Sequence, residues 1–245
     1  MSRWFSIVAV VLAIIIILVV IGFRSGVVDF PDGQNILANG DFESGDFTPN
    51  CSQRLTLDCE RPTADEQPIP GLEAIPPASS TSIPGWTVGT FPGPQNVAWL
   101  NQDNPFVGDI ASDRPTGGHR FLDLSGYGDH VESGKSGAIL QTFATKAGKT
   151  YMLFLDIGVF NSSSQPKFAG PITVVATIDN QTLVTCGPFN PSGRGPQWQT
   201  CKDHFTAGTG STTLAIFATA GQAYIGLDKV SVECIAPLGR LGFCS

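Results

Sequence analysis

Beyond residue 25 the apolar positions come in short runs, either alternating with polar residues or crowded with β-branched ones, and Gly, Pro, Asn and Ser separate the runs. Apolar spacing of the helical kind is not found there. Alternation with a period of two marks half-buried strands, and many short strands between turn residues predict an antiparallel β-sandwich or barrel. The clearest strands are read at 150–160, 171–178, 211–218 and 223–233. In the first, Tyr151, Leu153, Leu155 and Ile157 share one face, with Met152, Phe154 and Asp156 on the other. Weaker strands are read at 35–42, 85–89, 96–100, 120–124, 137–144, 181–185 and 197–205, and Ile178 to Thr182 reads as a tight hairpin turn.

Two stretches break this pattern. Trp4 to Phe23 is an uncharged run of 20 residues, which as a helix measures about 30 Å, the thickness of a bilayer's hydrocarbon core. It ends in Gly22, Phe23, Arg24 and Ser25, a poor site for signal cleavage, so one N-terminal transmembrane helix over 1–24, an uncleaved signal anchor, is expected. Arg3 and the terminal amine before the run, against Arg24 after it, place the bulk of the chain on the extracellular or periplasmic side. Cleavage instead would give a secreted protein. The second stretch, 44–82, is rich in Pro and Ser and poor in apolar periodicity, and reads as a surface insertion in a domain spanning 35–234. Residues 25–34 form a tether and 235–245 a C-terminal tail.

Six cysteines in a chain with an export segment predict disulfides in an oxidising compartment. Proximity pairs Cys51 with Cys59, Cys186 with Cys201 and Cys234 with Cys244, although 15 connectivities exist for six cysteines. No Cys-x-x-Cys or histidine-rich spacing supports zinc. Without Arg3 and Arg24 the 14 Lys and Arg become 12 against 21 Asp and Glu, so the exported part sits near −9. That sign opposes phosphate backbones and makes nucleic acid a poor partner.

Asp228 shares parity with Val230 and Val232, which read as core residues in a regular strand. A carboxylate aimed at a core costs several kcal/mol unless it is paired or bound to a cation. Either it meets an ion, or it is a bulge residue hydrogen-bonded to backbone amides. The Asn39-Gly40-Asp41 cluster is a turn inside the first strand.

Taken in order, "NILANGDFESG", "SIPGWTVG", "NVAWL", "GGHRFLDLSG", "GAILQTFATKAGKTYMLFLDIG", "STTLAIFA" and "YIGLDKVSVE" resemble the strands of galactose-binding-like jelly rolls of the cell-wall-associated kind. Several families of carbohydrate-binding module share the first and last of these motifs. The resemblance covers 35–233 apart from 44–82. It implies an all-β jelly-roll sandwich whose first and final strands lie side by side, with Glu43 and Asp228 holding a structural calcium completed by backbone carbonyls. It also implies that Arg120 and Asp123 contact sugar hydroxyls. An ion pair between them at the surface, worth under about 1 kcal/mol, is the plainer alternative.

Sugar rings stack their C–H faces on aromatic planes, and Trp99 and Tyr127, near turn-rich stretches, are the first candidates for such a platform. Trp198 is a further one, while Trp86 reads as core. His119, His130 and His204 are scattered. No G-x-S-x-G, H-E-x-x-H, phosphate-binding or dinucleotide-binding motif is present, and no spacing selects a glycosidase pair such as Asp103 with Asp109 or Asp123 with Asp156. Sequons stand at Asn161 and Asn180. The expected protein is a membrane-tethered, non-catalytic carbohydrate-binding module at the cell surface or cell wall. The alternative is a structural or adhesive surface protein that contacts other proteins without a sugar site.

Overall fold

In a computed structural model, residues 34–49, 68–90, 95–101, 104, 118–126, 136–160, 171–189, 197–219 and 224–235 are described. The apolar run 4–23, the Cys51 to Cys59 loop, Asp103, Asp109, Tyr127, His130, Asn161 and Cys244 lie outside them. Among the described residues no helix is long and apolar enough to cross a membrane.

Eleven strands are described: β1 (Leu72–Ile75), β2 (Thr87–Val88), β3 (Val97–Asn101), β4 (Arg120–Asp123), β5 (Ala138–Ala144), β6 (Thr150–Phe160), β7 (Ile172–Ile178), β8 (Gln181–Phe189), β9 (Gln197–Thr206), β10 (Ser211–Thr219) and β11 (Tyr224–Cys234). They pair antiparallel into a six-stranded sheet in the order β1-β3-β4-β11-β6-β9 and a five-stranded sheet in the order β2-β5-β10-β7-β8. The molecule is a β-sandwich. The alternation read in β6 holds: Tyr151, Leu153, Leu155, Ile157 and Val159 face the interior with Leu214 and Ile216 of β10 and Val174 and Ala176 of β7. Trp86 is buried in the same core.

The expected hairpin turn joins β7 to β8, with Asp179 and Asn180 at φ of 48° and 66°. Two consecutive positive values are what the tight hairpin turn needs, and Asn and Asp tolerate them best. The disulfide Cys186 to Cys201 joins β8 to β9, the edge strands of the two sheets on one side of the sandwich. Cys234 is also disulfide-bonded, to a partner outside the described residues.

Three expectations change. Residues 35–42 are turns rather than a strand, yet their backbone does run beside β11: Ile36 N–H donates to Val232 O at 3.0 Å and Val230 N–H to Gly40 O at 2.8 Å. A Cβ at Gly40 would run into the Val230 carbonyl oxygen, which explains the glycine. The stretch 44–82 contains β1, an edge strand aligned with Leu72 opposite Leu100 and Ile75 opposite Val97, so part of the presumed insertion belongs to the sandwich.

The third change concerns Asp228. The register of β11 against β6 slips between Asp228, opposite Asp156, and Ser231, opposite Phe154, and Lys229 sits at φ of 43°. One extra residue is a β-bulge, and it reverses which side each following position takes. Ile225, Leu227, Val230 and Val232 therefore all reach the core, while Asp228 points to the other side. Regular parity gave the wrong side because it assumed an unbroken strand.

Candidate functional site

The outer side of the six-stranded sheet carries a second apolar cluster of Ile69, Leu72, Ala74, Ala98, Leu100 and Phe121, with Trp198 partly buried against it. Strand register explains how it forms. Trp198 on β9 lies opposite Gly158 on β6, which lies opposite Gly226 on β11, which lies opposite Asp123 on β4. The two glycines leave the sheet bare, and the indole lies across them. A Cβ at Gly158 would stand 2.5 Å from the ring, and one at Gly226 would stand 2.8 Å from it. The ring meets Phe121 edge-on, with centroids 5.9 Å apart and planes at 88°. Its Nε1–H is buried and has no hydrogen-bond acceptor among the described residues.

The neighbouring row holds Thr200, Asp156 and Asp228 side by side on β9, β6 and β11. Thr200 Oγ1 donates to Asp156 Oδ1 at 2.6 Å, and Lys229 N–H donates to Asp228 Oδ1 at 2.8 Å. Both carboxylates are nearly inaccessible, at 4% and 2%.

Asp123 is on this outer side too, opposite in direction to Leu122, as the sequence suggests. Its Oδ1 accepts from Ser125 N–H at 2.9 Å, Ser125 Oγ at 2.7 Å and Ile225 N–H at 3.0 Å. Burial pushes its pKa up to about 6, against the lowering effect of those donors. These bonds tie the end of β4 to the start of β11.

Trp99 and Arg120 meet elsewhere, at the inner edge beside β1. Trp99 is 0% exposed, and its Nε1–H donates to Phe42 O at 3.1 Å. It offers no open face to a ligand because it is roofed: Arg120 lies 4.9 Å from its ring centroid and Phe47 packs edge-on at 5.4 Å. Arg120 also donates through Nη1 to Gly45 O at 2.9 Å. Glu73, opposite Trp99 on β1, accepts from Thr48 N–H at 2.8 Å, and burial raises its pKa while Thr48 and Arg120 lower it. Asp123 is on the other side of β4 and does not join them; Tyr127 lies outside the described residues.

Glu43 Oε1 accepts from His119 N–H at 2.6 Å and Arg120 N–H at 2.7 Å. Calcium wants six to eight oxygens, whereas amide hydrogens surround this oxygen. No group of three or more Asp, Glu, His or Cys that suits a metal occurs among the described residues. The arrangement fits hydrogen-bonded carboxylates, and calcium on Glu43 and Asp228 is a proposal, not a feature of this geometry.

Sequence reasoning placed Trp198 behind Trp99 and Tyr127. The signal that singles it out is a glycine inside each of two strands otherwise rich in β-branched residues, Gly158 and Gly226, since such a glycine marks a close approach.

What these elements define is an antiparallel β-sandwich with an aromatic and acidic patch on one outer side. No protein-family model matches the chain, and no curated protein does. Among solved structures it is similar to the C-terminal domain of EclA, a sugar-binding protein, at 14% identity over 38% of this chain and 64% of that one, with a TM-score of 0.31. It is similar to a family 35 carbohydrate-binding module from Clostridium thermocellum at 10% identity over 65% and 97%, with a TM-score of 0.37. The third is TmCBM61 in complex with beta-1,4-galactotriose, at 12% identity over 82% and 99%, with a TM-score of 0.39. The chain spans just under two thirds of the length of the first of these.

Proposed function

We propose that this protein is an exported, non-catalytic carbohydrate-binding module that takes a polysaccharide or glycan on the outer side of its six-stranded sheet. The observation that carries this reading is Trp198, laid flat on the sheet over Gly158 and Gly226 and partly exposed beside Thr200. A sugar offers C–H faces to such a plane and hydroxyls to the oxygens next to it. The galactose-binding-like jelly roll is supported by the way the chain crosses between the sheets at each step from β4 to β11 except at the β7 to β8 hairpin. Tethering by residues 4–23 is supported by the length of that run, and an extracellular or periplasmic location by the Cys186 to Cys201 bond.

The test uses the full-length chain in a sugar-free detergent, run through native gels cast with plant and microbial cell-wall polymers. At least one polymer is expected to retard it, and Trp198→Ala to weaken retention roughly tenfold, the equivalent of about 1.4 kcal/mol. Retardation by none, or by the same polymers in the variant, rejects the reading.

A further inference from the structure

The glycine under Trp198 has a second effect, because it moves the indole off its own strand. The six-membered ring lies above Gly158 of β6 and reaches Gly226 of β11. Four residues along β6, Phe154 points to the same outer side and is partly exposed. At about 3.3 Å per residue the two aromatic positions stand about 13 Å apart along one strand. Between them lies the row of Thr200, exposed on β9, and Asp156. Beside Phe154 lie Lys202 and Ser231, its register partners on β9 and β11.

Resting on the reading above, we propose that Phe154 is a second stacking position and that this side binds an internal stretch of an unbranched polysaccharide lying along β6. A single pyranose ring is too short to touch both aromatic rings. A terminal sugar would use Trp198 alone, whereas a chain bridging both gains from each.

The experiment titrates the full-length chain, in sugar-free detergent, with beta-1,4-linked xylo-, gluco- and galacto-oligosaccharides from disaccharide to hexasaccharide. For at least one series the affinity is expected to climb with length and then level off. Phe154→Ala and the bulk-preserving Phe154→Leu are expected to remove roughly tenfold of that gain while leaving the disaccharide affinity unchanged. Trp198→Ala is expected to weaken every length. Affinity that does not depend on length, or Phe154 variants that match the parent at all lengths while Trp198→Ala is weak, overturns the inference and leaves the reading standing. Binding of no series overturns the inference, and retention by no polymer overturns the reading with it.

Discussion

Trp198 and Gly158 are register partners across β9 and β6, and the indole occupies the space that a side chain at 158 would fill. Gly158→Ala therefore sets a methyl group 2.5 Å from ring carbons and forces the tryptophan off the sheet. Overpacking of this kind costs about 1–3 kcal/mol. The expected readouts are a lower urea midpoint, a red-shifted tryptophan emission and weakened polymer retention. An unchanged emission with full retention would contradict the placement of the ring.

The buried carboxyl of Asp123 makes stability depend on pH. Its folded pKa of about 6 lies above the value near 4 of an unfolded aspartate. Between the two, the folded state holds a proton that the unfolded state has released, so stability falls as pH rises through this window. The contribution is fully present below about pH 4 and lost above about pH 6, a change of up to about 3 kcal/mol. Asp123→Asn is expected to remove this dependence, so that the wild-type minus variant difference changes across that window and is flat outside it, measured by urea unfolding at several pH values.

Reducing or removing the Cys186 to Cys201 bond takes away the covalent link between the edge strands β8 and β9. The bond closes a separation of 15 residues, for which the loop-entropy model gives about 3 kcal/mol. The double variant Cys186→Ser with Cys201→Ser is expected to lose about that much in denaturant unfolding. Mass spectrometry of the unreduced parent should return a peptide containing both cysteines.

Glu43 separates two accounts of its carboxylate. As an acceptor for the amides of His119 and Arg120 it stabilises whether or not calcium is present. Glu43→Ala is expected to cost about 2 kcal/mol, the scale of hydrogen bonds to a charged group, equally in EDTA and in calcium. A cost seen only in calcium, with the parent's melting point raised by that ion, would establish the calcium site on Glu43 and Asp228.

Much of the sandwich is legible from side-chain alternation, because half-buried strands such as β6 and β10 must place every second residue inside. The β7 to β8 turn is legible too, since Asp179 and Asn180 suit positive φ. What escapes is whatever depends on pairing between distant segments. β1 is a short edge strand in a Pro-rich stretch, and its four residues carry too few alternations to stand out. The bulge in β11 shows in the sequence only as a shift of the apolar positions from Ile225 and Leu227 to Val230 and Val232, and the register against β6 shows that Asp228 turns away. Trp99 and Arg120 are singled out in the sequence as ligand-binding candidates, whereas their contact with each other and the burial of Trp99 beneath Phe47 are tertiary facts. Trp198 becomes prominent only when Gly158 and Gly226 are known to be adjacent.

The supernumerary residue at Lys229 makes β11 two half-strands spliced out of phase. Removing Lys229 alone would close the splice: Val230 would follow Asp228 directly, and regular alternation would still send Val230 and Val232 inward and Ser231 and Glu233 outward. A chain of this fold without that residue would keep its apolar and polar positions from 230 onward, one residue earlier in its own count. Pairwise alignments through this segment should therefore open a one-residue gap there, even where the letters on either side match.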